Sequence, residues 1–311
     1  MSSQISSPDL SFPNPERAGE IEQLTPLVRR VLAANPSFMT GPGTNTYVVG
    51  TDPVLILDPG PDREDHLEAV TRAVDGREVK AIMLTHDHGD HSLGCDMFRA
   101  HFEVPIYSKR DTAGKRPADR PFPNGAVMVV GGARLRGVHT PGHAAEHLCF
   151  LLEEEHALFT GDHVMAGSTV VIAPPNGNMA DYLGSLRRLI KMDLSHLYPG
   201  HGGVLPDPSC EMEGIIAHRE ARESSVLSAL QAGDTKIADI VARVYADVQE
   251  FLHPVARYTV LAHLQKLEEE GRVRSVPDPD IAAEPPRVVQ VGNTELPLRE
   301  PPEMKASFSF I

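Results

Sequence analysis

Seven residues, Thr85-His86-Asp87-His88-Gly89-Asp90-His91, constrain this chain more than any other stretch. They follow directly on the apolar run Ala81-Ile82-Met83-Leu84, so three histidines and two aspartates are delivered at the end of what reads as a buried strand. A packed core does not accept so many unpaired imidazoles and carboxylates, because each one stripped of water carries a desolvation cost. The residue types are those of a metal site. Neutral imidazoles with carboxylates suit a borderline cation such as zinc, and alternating His86 and His88 with adjacent Asp90 and His91 present two pairs of donors to two neighbouring ions. A structural zinc site more often uses thiolates in paired spacing, whereas Cys95, Cys149 and Cys210 are scattered singly and read as small apolar residues. The pattern therefore predicts a catalytic centre with an open coordination position.

The same punctuation recurs along the chain. Tyr47-Val48-Val49 and Val54-Leu55-Ile56-Leu57 form a predicted hairpin, a helix is predicted over 66–74, and strand 81–84 completes a β-α-β pattern. A helix at 93–101, a strand at 104–107, a polar excursion over 109–124 and a strand pair at 127–130 and 134–138 follow. Strands are then predicted at 147–152, 156–160 and 194–198, with a helix at 181–192 before the last. His143, Asp162 and His201 each lie just beyond one of these strands, so donors distant in sequence can meet along one edge of the sheets. With His86, His88, Asp90 and His91 they make seven potential ligands. Such a set, with one carboxylate bridging, suits two metals about 3.5–4 Å apart with water between them.

In these residues and their order the chain resembles the metallo-β-lactamase superfamily, whose HxHxDH loop is matched by His86, His88, Asp90 and His91 and whose later motifs are matched by His143, Asp162 and His201. The resemblance covers roughly residues 21–205. It implies an α/β (α+β) fold, a four-layer αβ/βα sandwich with the site between two β-sheets. By the family pattern His86, His88 and His143 hold a first zinc, Asp90, His91 and His201 a second, and Asp162 bridges. Two Zn2+ per chain are thus expected, with Mn2+ or Fe2+ as alternatives, and Asp90 also acts in catalysis by orienting the attacking water. Asp at 162, where some true lactamases have Cys, argues against antibiotic hydrolysis as the main task. Asp58, in Leu57-Asp58-Pro59-Gly60, falls where the family has a carboxylate that orients ligands from behind. His147 is a second catalytic candidate, divided between a core-edge place on the following strand and a proton donor or substrate contact beside the metals. His66, His101, His156, His196, His218, His253 and His263 read as surface or satisfied core histidines. More narrowly, Met39-Thr40-Gly41-Pro42-Gly43-Thr44-Asn45-Thr46-Tyr47 and the region after 206 are similar to the β-lactamase-like protein 2 branch. That branch includes single-strand RNA endonucleases, and related proteins release polyketide chains from carrier-protein thioesters.

Beyond Pro206 the spacing predicts helices over 211–232, 235–248 and 254–270 and a strand at 272–276, a small winged-helix-like domain spanning 206–276. Residues 207–276 hold 8 Lys/Arg against 12 Asp/Glu, and Glu268-Glu269-Glu270 close the third helix, so duplex DNA is an unfavoured partner and a packing or pocket-closing role is expected. Residues 1–20 read as a flexible leader, and 277–311 as a proline-rich extension whose Phe308-Ser309-Phe310-Ile311 docks on an apolar surface. The whole chain carries a net charge of −14 and no signal-like or membrane-spanning apolar run, which points to a cytoplasmic protein with no membrane partner. The expected activity is metal-assisted hydrolysis through a metal-bridging hydroxide, acting on an ester, thioester or lactone-type small-molecule acyl substrate. The alternative is a phosphodiesterase of single-stranded RNA. β-Lactam hydrolysis and a DNA-binding regulator rank below both, and a dimer is compatible with everything above.

Overall fold

Strands β1 (Ile21–Gln23), β2 (Val28–Leu32), β3 (Asn45–Val49), β4 (Val54–Leu57), β5 (Val79–Met83), β6 (Ile106–Ser108) and β7 (Arg120–Pro121) hydrogen-bond in sequence order into one seven-stranded sheet. The architecture comes from a computed structural model that describes residues 18–109, 119–276, 287–291, 294–298, 304 and 306–310. The leader, most of the excursion over 109–124 and the start of the C-terminal extension lie outside the described residues. The sheet begins antiparallel and turns parallel at β4 and β5, where helix α1 (Glu64–Val74) makes the crossover. Between β5 and β6 run α2 (Gly89–Ser92) and α3 (Cys95–Phe102). The helix expected over 93–101 is α3, and the additional turn α2, within the His/Asp loop before it, carries Asp90 and His91.

The second sheet contains β8 (Val127–Val130), β9 (Ala133–His139), β10 (Leu148–Leu152), β11 (Ala157–Gly161) and β12 (His196–Pro199), ordered β12-β11-β10-β9-β8. Helix α4 (Met179–Leu189) joins the parallel pair β11 and β12. Strand periodicity sorts the side chains into layers. Tyr47, Leu55, Leu57 and Met83 face Leu135, Phe150, Phe159 and Tyr198 between the sheets. The alternate residues Val48, Ile56 and Ile82 pack outward on Val70 and Phe98 of α1 and α3, while Cys149, Leu158 and Leu197 pack outward on Tyr182, Leu183 and Leu186 of α4. Strands such as β4 and β11 are covered on both faces, which is why they read as unbroken apolar runs.

The rest of the chain adds α5 (Pro208–Gln231), α6 (Ile237–Val244), α7 (His253–Glu269) and β13 (Val273–Val276). Asp207 starts α5 by accepting from Cys210 N, with Pro208 in the first turn. Met212 and Ile215 of α5 belong to the core outside the second sheet, whereas Val226, Ala229 and Leu230 belong to a separate core with α6 and α7. One helix thus ties both bodies together. The extension is more regular than its composition suggested: β14 (Arg287–Val291) pairs with β15 (Thr294–Leu298), and β16 (Ser307–Phe310) pairs antiparallel with β13. Phe308 is buried in the helical core, so the wing of this winged-helix domain is closed by residues from the far end of the chain.

Candidate metal centre

Every element that supplies a site residue ends at the same edge of the sandwich. His86 and His88 follow β5, Asp90 and His91 ride on the turn of α2, and His143, Asp162 and His201 follow β9, β11 and β12. The two sheets are stitched together there. Asn45 N donates to Gly200 O at 2.8 Å, Asn45 Nδ2 to Pro199 O at 2.9 Å, and Leu148 N to Thr85 O at 2.8 Å. Glycine is required at two points of the stitching. A Cβ on Gly200 would stand 2.7 Å from the His91 ring, and one on Gly161, whose φ is +48°, would stand 2.6 Å from Thr85 Oγ1.

The seven residues form two groups sharing one member: His86, His88, His143 and Asp162, and Asp90, His91, Asp162 and His201, with the donor atoms of each group within 4.8 Å of one another. Asp162 is the hinge between them. Its Oδ1 lies 3.1 Å from His91 Nε2 and 3.2 Å from His201 Nε2, while Oδ2 lies 3.8 Å from His86 Nε2 and 3.6 Å from His143 Nε2. Asp90 Oδ2 is 3.2 Å from His201 Nε2. Outward-facing nitrogens are held by the fold: His143 Nδ1 donates to Val171 O at 2.7 Å, and His201 Nδ1 to Gly43 O at 3.0 Å. In His143, kept neutral by burial, this spends the one N–H on the outer partner and leaves Nε2 as a lone pair aimed inward; in His201 the same holds once a cation replaces the inner proton.

These residues fit a pair of divalent ions. His88 Nδ1 lies 3.0 Å from His86 Nε2 and 2.8 Å from His143 Nε2, three ring nitrogens converging where one proton cannot serve them all. A cation between them would satisfy every lone pair, and imidazole with carboxylate is the donor set of zinc and related ions. The two groups differ in charge. Burial pushes His86 well below its ordinary pKa and His143 down to about 4, which keeps both rings neutral. Burial also opposes charge on His91 and His201, but Asp162 and Asp90 outweigh it, holding His91 well above its ordinary value and His201 at about 9. Against the cost of burial, His91 and His201 hold Asp90 at about 2 and Asp162 well below the carboxylate range.

Asp58 sits behind His91, accepting from His91 Nδ1 at 2.9 Å, from Thr85 N at 2.8 Å and from Thr85 Oγ1 at 2.7 Å. His147 stands differently from its expected catalytic place. It has no exposed surface, its ring lies 5.1 Å from that of His86 on the core side, and Nδ1 pairs with Thr140 Oγ1 at 2.9 Å. Of the two places expected for His147, these contacts match the core-edge one, as the residue that precedes β10. His163 went unnoticed in the sequence. It follows Asp162 but turns the opposite way, fully buried with its ring 4.9 Å from Tyr182, and burial pushes its pKa down to about 3. Its position directly after a ligand was the one available signal.

Comparison with known proteins agrees with this geometry. A family model described as "Metallo-beta-lactamase superfamily" matches residues 39–201, and one described as "Beta-lactamase associated winged helix domain" matches 237–281. The lactamase-like protein adaB of Aspergillus niger is 34% identical over 84% of this chain and 86% of its own length. The atrochrysone carboxyl ACP thioesterase dmxR1 of Cryptosporiopsis sp. is 33% identical over 82% of this chain and 83% of its own. Among solved structures, the metallo-beta-lactamase family protein TTHA1429 of Thermus thermophilus superposes with a TM-score of 0.68 at 26% identity, covering 81% of this chain and 97% of that one. Among the described residues, no helix is long and apolar enough to cross a membrane.

Proposed function

The chain belongs to the metallo-beta-lactamase superfamily, and on that premise we propose that this hydrolase cleaves acyl thioesters with two divalent ions, zinc by donor type, held by the two groups that share Asp162. The observation that carries the proposal is the Asp162 carboxylate, one oxygen toward each group. His86, His88 and His143 would hold one ion, and Asp90, His91 and His201 the other. Such a pair, when bound, supplies Lewis acidity and draws the pKa of water toward neutrality. The protein's own groups orient. Asp58 fixes the His91 ring, Val171 O and Gly43 O fix His143 and His201, and Asp90 Oδ2 offers an acceptor at the shared centre for a water proton. The centre falls to residues 21–205 and pocket closure to 206–276. The free cysteines Cys95, Cys149 and Cys210 fit a cytoplasmic setting.

The acyl substrate is supported by the relative named as a carrier-protein thioesterase and by the net charge of −14, which does not favour a polyanion such as RNA. The test is thiol release from an acyl-N-acetylcysteamine thioester, with metal content measured on the same sample and single-stranded RNA run in parallel. Thiol release by protein carrying two ions per chain is expected. RNA cleavage without thiol release would overturn the acyl assignment, and full activity with one ion per chain would overturn the binuclear one.

A further inference from the structure

Asp58 has a backbone conformation that few side chains adopt. It follows β4 with φ at +51°, in the left-handed region where residues other than glycine are uncommon. Such a conformation persists where the surrounding contacts over-determine it, and these positions cluster at functional sites. Here both backbone polar atoms of the residue are engaged. Asp58 N donates to Met83 O at 2.9 Å, and Asp58 O accepts from Thr46 Oγ1 at 2.6 Å. The turn that follows is tied to a ligand residue as well, since Gly60 N donates to His91 O at 3.1 Å. The carboxylate carried by this backbone is the one that accepts from His91 Nδ1.

Behind Thr46 stands His66 of α1, buried, with its Nε2 2.8 Å from Thr46 Oγ1. The chemistry of the hydroxyl fixes the direction of this contact. A threonine hydroxyl has one proton to give and a carbonyl oxygen can only accept, so the Thr46 proton goes to Asp58 O. Thr46 Oγ1 is then the acceptor for His66, whose one ring proton sits on Nε2. The remainder of the ring agrees with that assignment. Nδ1 has no hydrogen-bond partner among the described residues, and burial holds the His66 pKa at about 4, so the ring carries no second proton near neutral pH. Thr46 is fully buried, which keeps water from competing for either bond. Donation from His66 also makes the hydroxyl a stronger donor, because hydrogen bonds in a chain polarise one another.

We propose that His66 is a positioning residue for the metal centre: its Nε2–H, acting through the Thr46 hydroxyl, holds Asp58 in the left-handed conformation that aims its carboxylate at His91. The contacts run from His66 to Thr46, Asp58 and His91, and only the last of these belongs to either group of donors. The proposal rests on the reading of Asp90, His91, Asp162 and His201 as the holders of one ion. It gives a specific task to a histidine whose sequence position marks it as an ordinary core residue.

Three substitutions in the full chain separate this task from simple packing. His66→Leu removes the donor, Thr46→Val removes the hydroxyl that relays it, and His66→Gln keeps an amide N–H at the reach of Nε2. Zinc affinities are read by competition with a chromophoric chelator, and exchange of the His91 Nδ1 proton with solvent is followed by NMR on histidine-labelled protein. His66→Leu and Thr46→Val are each expected to weaken one of the two ions by about threefold to tenfold, the contribution of one hydrogen bond, and to quicken the proton exchange. His66→Gln should restore most of both. Because the two residues act in one chain, His66→Leu combined with Thr46→Val should lose no more than Thr46→Val alone. A His66→Leu protein with a lowered thermal midpoint but unchanged zinc affinity and proton exchange would overturn the proposal, as would losses that add in the double variant. Protein that takes up no zinc would remove the metal reading, and the proton exchange across the same variants would then decide whether His66 holds Asp58 against His91.

Discussion

Among the described residues, two buried clusters pair carboxylates with imidazoles, and only one of them calls for a cation. In the helical domain, Glu223 accepts from His263 Nδ1 at 3.3 Å and from Lys266 Nζ at 2.9 Å, with Arg272 Nη1 at 3.5 Å. One carboxylate is served by donors in sufficient number. At the sheet edge, five imidazoles and two carboxylates converge, and ring nitrogens approach one another to 2.8–3.3 Å. Nitrogen facing nitrogen with too few protons to share is the physical mark of a ligand set, whereas a carboxylate ringed by N–H donors is the mark of a structural polar cluster.

The largest effect expected from that contrast is at Asp162. Asp162→Asn removes the charge common to both metal groups, and thioester cleavage is expected to fall by at least about 100-fold, the upper limit for changes merely behind a ligand. Metal content after dialysis should drop in step. Near-normal activity in the variant would erase the distinction between the clusters.

A smaller effect, about 10–100-fold in metal affinity or activity, is expected for Asp58→Asn, which leaves the ligands in place but loosens the His91 ring. Because Asp58 touches only His91 among the ligands, one ion per chain should become easier to remove with a chelator while the other resists. Equal loss of both would show that the groups do not act separately.

The two clusters also differ in how far the sequence exposes them. His86 to His91 is dense because one turn and one strand end deliver four ligands. His143, Asp162 and His201 are legible because each ends a strand, and the parity of residues along β4, β5, β9, β11 and β12 aligns those ends. Asp58 was legible as a strand-end carboxylate. Glu223 and His263 lie 40 residues apart on two helices, and nothing in spacing pairs them before α5 and α7 are packed. Nor does it show that the partner of β13 comes from residues 307–310, since antiparallel pairing over that separation leaves no local pattern. His147 was left divided between two places for the converse reason: it lies four residues after the ligand His143, but a residue at the start of a buried strand can as well face the core.

Breaking the structural cluster should spare the metal centre. Glu223→Ala leaves the buried donors of His263 and Lys266 without their acceptor, an expected loss of about 1–3 kcal/mol in unfolding free energy. Urea denaturation followed by helix signal reads it. Metal content should be unchanged, and a coupled loss of metal would mean that the helical cluster supports the centre through α5.

The smallest effect is a pH slope that belongs to the helical cluster. Burial holds the His263 pKa below its ordinary 6.5 despite Glu223, so the ring stays neutral and its N–H donates to the carboxylate. Burial raises the Glu223 pKa, but hydrogen bonds from His263 and Lys266 outweigh it and bring it below the ordinary 4.5. A histidine kept neutral in the fold gains a proton on unfolding once pH drops below 6.5, and stability then declines as pH falls toward the folded value. A carboxylate with a lowered pKa contributes its full stabilisation above 4.5 and loses it as pH falls through its folded value. Both terms weaken the protein on the acid side, beginning near pH 6.5 with His263 and deepening below 4.5 with Glu223. For metal-loaded protein between pH 7.5 and 5, His263→Gln should show a shallower decline than the unsubstituted chain, by at most about 1.4 kcal/mol per pH unit for the one proton removed. Parallel declines would place the acid-sensitive proton elsewhere, with His66, held at about 4 by burial, the next residue to replace.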